Sequence, residues 1–213
     1  MTTAAEVQSI YANIIRQSLN SIVASATAAA IDGGSTTKAG YIASLINQAA
    51  NSTRPALLVS NYITGIAPDS ATLDNRTTFC QNQYNAYVAA GSANANLGPY
   101  EALGVAFADD ASFAAKVSGK SLSTIINETY TAALGAAPGS AQVTHFTSQY
   151  TYYYNLYVGA GLTSAAADNR AKAAVVGQIL GYGGTNLSTT FSTKATTWLT
   201  NAGNGSPAYS TAL

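Results

Sequence analysis

The chain has 213 residues, nine basic and nine acidic, so its formal net charge is zero, and charged residues make up 8% of it. That is far below the roughly 25% of an ordinary soluble domain. It excludes a basic nucleic-acid-binding stripe, and no like-charge run forms an interaction tail.

The surface must instead be built from Ala, Ser, Thr, Asn, Gly and Tyr. Such a neutral polar surface repels copies of itself weakly, and near-zero net charge favours association. This composition is common in secreted and surface-displayed bacterial proteins. One cysteine, Cys80, excludes an internal disulfide framework. With His145 as the only histidine, the common zinc spacings are absent too. No run of 18 apolar residues is present, so no membrane-spanning helix is expected.

In chain order the signals are helical. Thr3-Ala-Ala-Glu6 reads as a capping box, followed by Val7, Ile10, Tyr11 and Ile14 on one face. Ser21–Ile31 ends in small residues like a cleavage site. The segment before it carries Glu6 and lacks a basic cluster, so it reads as mature protein. If the protein leaves the cell, its export signal is not a cleaved N-terminal one. Further helices are predicted over 38–51 and 56–63, and from Asp109 or Asp110 to Gly119. Another runs from Thr163 or Ser164 to near Gly181, with 181–186 as the turn that ends it. The fold class is all-α, with about eight to ten helices and no substantial sheet.

An internal repeat organises the chain. Ala67–Gly91 (APDSATLDNRTTFCQNQYNAYVAAG) aligns without a gap on Ala137–Gly161 (APGSAQVTHFTSQYTYYYNLYVGAG), at an offset of 70. Pro68 and Pro138 each end a helix, Ser70 and Ser140 can cap the next, and Gly91 and Gly161 suit its C-terminal turn. A tyrosine-led helix precedes each copy, from Tyr62 and Tyr130, and a Phe-x-x-Lys segment follows, at Phe113/Lys116 and Phe191/Lys194. Tyr11 marks a decayed third start. The chain is read as one helical domain of degenerate repeats, at about 1–60, 61–128 and 129–213.

The repeat also sorts the five tyrosines between Tyr150 and Tyr157. Tyr150, Tyr154 and Tyr157 align with Cys80, Tyr84 and Tyr87 on the apolar stripe, so they are expected to face the core. Tyr153 widens the stripe. Tyr152 aligns with the polar Asn82 and is the candidate exposed aromatic contact. Cys80 is expected to be a buried, inert thiol.

The residues that carry this repeat also carry a resemblance. YITGIAPDSATLD and YTAALGAAPGSAQV resemble a helical domain repeated in secreted bacterial proteins. The TTA start, ANST at Ala50–Thr53, TGIAPDSATLD and TSAAADNRAKAAVVGQILG occur in the same order as in the N-terminal anchoring domain of Caulobacter-type surface-layer proteins. The resemblance implies an all-helical fold that ties a two-dimensional lattice to the O-polysaccharide of outer-membrane lipopolysaccharide. It further implies type I export through an uncleaved C-terminal signal, and the outer-membrane surface of a Gram-negative bacterium as the location. Calcium would enter by resemblance only, since no GGxGxDx nonapeptide occurs in the chain.

No catalytic or metal site is expected: the nine carboxylates are scattered, and Asp74 and Asp168 read as solvated helix residues. Candidate contacts to a glycan or a protein partner are Tyr152, Tyr153, Asn82 and Gln83, with Arg76, Arg170 and Lys172 available to anionic groups. The expectation is a non-enzymatic surface protein that binds lipopolysaccharide polysaccharide, assembles with copies of itself, or does both. The alternative is a subunit of an extracellular filament or matrix without glycan binding.

Overall fold

Side-chain caps set the element boundaries in the computed structural model, which describes residues 1–213. Oxygens of Thr3, Asn20, Thr37, Asp69, Asp110, Ser121, Thr163 and Thr189 each accept a free amide of a first helical turn. The helices are α1 (Ala4–Ile15), α2 (Ser21–Asp32), α3 (Lys38–Gln48), α4 (Thr53–Thr64), α5 (Ser70–Ala89) and α6 (Gly98–Ala106). They continue with α7 (Ala111–Val117), α8 (Leu122–Leu134), α9 (Ser140–Gly159), α10 (Ser164–Thr185) and α11 (Thr190–Gly203). A 3-10 turn, Ala49–Asn51, joins α3 to α4. There is no strand, and eleven α-helices stand where about eight to ten were expected from periodicity.

The repeat is a repeated backbone path. α4 and α8 end at Gly65 and Gly135, both left-handed at φ 84° and 79°. Four residues later come the N-caps Asp69 and Gly139, then helices of 20 residues each, closed by left-handed Gly91 and Gly161. The α1–α2 junction takes the same path: Arg16 has φ 64° and Asn20 is the N-cap. Arg16 adopts a conformation that usually falls to glycine, and its surroundings hold it there. Its Nε donates to Asp74 at 2.6 Å, its other nitrogens donate to Ser70 and to the Tyr209 hydroxyl, and its side chain is 6% exposed. Asp74 is therefore an ion-pair partner as well as a solvated helix residue, with its side chain 49% exposed.

Three local expectations shift. The caps after Pro68 and Pro138 are residues 69 and 139, because each takes the extended conformation at the helix boundary; Ser70 and Ser140 are already helical. The capping box is half-formed: Thr3 Oγ1 accepts from the Glu6 amide at 3.1 Å, but the Glu6 carboxylate takes Lys38 Nζ at 2.7 Å. α10 does not stop near Gly181 but runs on through Gly183 and Gly184 to Thr185.

The glycines of α10 explain its length. A Cβ on Gly177 would lie 2.5 Å from the Tyr100 carbonyl, and one on Gly183 would lie 2.5 Å from the Ala133 carbonyl. Glycine there lets α6 and α8 approach closely. Twelve of the 22 residues of α10 are buried, so it is the central helix, packed on α6, α9 and α8. α4 is the second interior helix, with nine of 12 residues buried. One cluster of 35 buried residues runs from Ile10 to Ala202 and takes in Phe113 and Phe191 of the two Phe-x-x-Lys segments. Burying each such phenylalanine stabilises by about 1.5–3 kcal/mol. α2 packs on α1 through Ala24, Ala28 and Val7.

Candidate functional site

The two long helices of the repeat bury nothing beyond their middles. In α5 the buried residues are Leu73, Thr77 and Cys80; in α9 Phe146 is the one buried residue. Tyr150, Tyr154 and Tyr157, expected to face the core, are half-buried, while Thr147 and Val158 are exposed. A tyrosine ring can lie against a neighbour, but its hydroxyl needs a polar partner. Tyr150 finds one by donating to Asp168 at 2.6 Å, which also receives Lys172 Nζ at 2.7 Å. Asp168 is thus engaged and not merely solvated. Cys80 is fully buried, and that burial pushes its thiol far above the usual range, so it stays protonated.

Beside α9 lies a groove of two lobes. The first, of about 290 Å³, is polar and sits among α9, α10, the start of α6 and the end of α5. Glu101 is at its centre. Its Oε1 accepts from the Tyr87 hydroxyl at 3.3 Å and its Oε2 from Gln178 Nε2 at 2.9 Å. The same amide nitrogen donates to the Tyr153 hydroxyl at 2.9 Å. Gln149 and Asn94 complete the polar wall. The second lobe, of about 660 Å³, is aromatic: Tyr130, Phe146 and Tyr182 meet edge to face at 6.3 and 6.0 Å. His145 and Tyr182 line both lobes, so the two adjoin.

The electrostatics suit binding. Burial, helped by the charge of Glu101, pushes the Tyr87 hydroxyl up to about 12. The same two causes raise Tyr153 and Tyr157. These hydroxyls therefore remain protonated at neutral pH and can both donate and accept hydrogen bonds.

Of the residues singled out in the sequence, Tyr153 belongs to the groove. Tyr152 is 60% exposed on the outer side of α9, edge-on to Tyr153 at 5.2 Å. With Leu156, Val158 and, on α5, Val88 it contributes exposed apolar side chains. Asn82 is exposed and Gln83 half-buried on α5. The three cations are engaged. Arg76 donates to Ser60 Oγ at 2.8 Å and lies 4.5 Å over the Phe107 ring. Arg170 pairs with Asp109 at 3.2 Å, and Lys172 pairs with Asp168. No group of three or more histidine, cysteine or carboxylate side chains converges as a metal site would require, and no helix is long and apolar enough to cross a membrane.

Sequence reasoning missed Glu101, Gln178 and Tyr182. One signal was present. Gln178 is the single long polar residue in the apolar run AAVVGQILG, and such a residue in an interior helix needs partners. No protein-family model matches the chain, and a search of curated proteins finds no match.

Proposed function

We propose that this is a non-enzymatic structural protein of a bacterial cell surface that holds a polysaccharide in the α9 groove. The observation that carries this reading is the groove's chemistry. Aromatic faces from Tyr130, Phe146 and Tyr182 adjoin fixed amide, hydroxyl and carboxylate groups from Gln178, Gln149, Tyr153 and Glu101. A sugar presents an apolar face and a rim of hydroxyls, so it needs both surfaces at once, with a few polar groups fixing its orientation. The resemblance to surface-layer anchoring domains points to the O-polysaccharide of lipopolysaccharide at the outer-membrane surface of a Gram-negative bacterium. It also points to export by an uncleaved signal. Self-association is the second half of the proposal. Zero net charge and the exposed Val88, Tyr152, Leu156 and Val158 favour an array of copies.

The second reading, a filament or matrix subunit without glycan binding, draws on those same exposed side chains alone. Sedimentation of the protein with lipopolysaccharide, followed by negative-stain electron microscopy, separates the two. Coating of lipopolysaccharide by wild type, lost in Gln178→Ala, supports the groove. Ordered sheets or filaments from protein alone, with equal coating by both forms, favour the second reading. Particles that neither assemble nor bind contradict both.

A further inference from the structure

Arg54 is a buried guanidinium with no counter-charge. It is 3% exposed, its Nε has no hydrogen-bond partner, and none of the five ion pairs of the protein includes it. It lies in the first turn of α4, a helix whose start has no side-chain cap. A cation there faces the positive end of the helix dipole, so its position is unfavourable twice over. The nearby Tyr100 hydroxyl is also buried without a partner.

Arg54 lines two adjoining cavities, of about 570 and 170 Å³, that share Asn47 and Leu187. Their walls carry Asn51, Asn96 and Asn204 and no carboxylate. Lys38 at the rim is already neutralised by Glu6 at 2.7 Å. Neither cavity shares a lining residue with the α9 groove.

We propose that these cavities form a second binding site, in which Arg54 takes the oxyanion of a small ligand and the asparagines hold its neutral polar body. One negative charge would pair with the guanidinium. The larger cavity has room for a sugar-sized body, which makes a sugar acid or sugar phosphate the fitting class.

The test is titration of the full chain with glucuronate, inorganic phosphate and neutral glucose, followed by calorimetry and by the side-chain Nε–H resonance of Arg54. Saturable one-to-one binding of an oxyanion, with glucose weaker by about tenfold or more, is expected. Tighter binding of glucuronate than of phosphate identifies a sugar acid; the reverse identifies a phosphate site. Arg54→Met should fold with an unchanged or higher Tm, because it removes an unpaired buried charge, and should lose the binding. Asn47→Ala, at an exposed position, should keep the fold and weaken binding several-fold. Gln178→Ala in the α9 groove should leave it unchanged, which separates this site from the polysaccharide reading. The proposal is overturned if wild type binds no oxyanion. It is also overturned if Arg54→Met binds as wild type does, or if Arg54→Met fails to fold while Asn47→Ala binds unchanged.

Discussion

α5 and α9 have the same length, the same flanking turns and the same place in the repeat, yet they do different work. α5 presses Leu73, Thr77 and Cys80 into the core and is capped by Asp69, whose Oδ1 accepts the Thr72 amide at 2.9 Å. α9 presses in only Phe146, begins at Gly139 without a side-chain cap, and turns a row of tyrosines along α10. The comparison separates two layers of information. Proline, glycine and small residues at matched positions set the backbone path. The side chains between them decide whether a helix becomes core or groove wall.

The largest effect that sharpens this comparison lies at the core anchors. Leu73→Ala in α5 should cost about 2–5 kcal/mol and Phe146→Ala about 3–5 kcal/mol, since each is 2% exposed or less. Val143→Ala, at the position matching Leu73, is expected to cost about 1 kcal/mol, because Val143 is only half-buried. Chemical denaturation of the three variants measures this. Equal losses at 73 and 143 would mean that α9 is a core helix after all.

Binding is the next level. Tyr153→Ala and Gln178→Ala should each weaken polysaccharide binding about tenfold, a difference of about 1.4 kcal/mol, while the matched Gln83→Ala on α5 should leave it unchanged. Calorimetry with purified O-polysaccharide reads all three.

Alkaline pH provides a third lever. The pKa of Tyr87 is raised in the folded protein to about 12, so its contribution to stability is complete below the unfolded value near 10 and is lost as pH rises through the folded one. A tyrosinate absorbance titration should show Tyr87 ionising near pH 12, and Tyr87→Phe should remove that step. Ionisation near pH 10 would mean that the polar lobe is open to water.

The smallest effect is at the caps. Gly139→Asp should give α9 the cap that α5 has and raise stability by a few tenths of a kcal/mol. A Cβ there meets only the movable end of Gln142, at 2.9 Å. At Asp69 the capping hydrogen bonds from Thr72 lower the folded pKa. Its contribution is therefore present above the usual carboxylate range and fades as pH falls through the folded value. Asp69→Asn and wild type should converge in Tm toward acid pH.

Much of the fold was legible because its signals are local: Pro68 and Pro138, the closing glycines and the periodic apolar residues act within one or two turns. α10 ran past its predicted end because Gly183 and Gly184 serve close packing on Ala133 and Tyr100, a tertiary cause. The left-handed Arg16 escaped notice for the same reason, since Asp74, Ser70 and Tyr209 hold it from far along the chain. Alignment with Asn82 and Gln83 could sort the exposed Tyr152 from Tyr153, which lines the groove. Glu101 and Gln178 could not be paired, because 77 residues separate them. Repeat alignment transfers the backbone path but not burial, which depends on the helix packed alongside.

The most direct test of the α9 groove as the polysaccharide site is the Gln178 side-chain amide, followed by NMR as O-polysaccharide is added. Its donors hold Glu101 and Tyr153 in the free protein. The account predicts that this resonance shifts and saturates at the affinity measured by calorimetry. A Gln178 resonance that stays still while the polysaccharide binds would place the sugar elsewhere on the molecule and contradict the account.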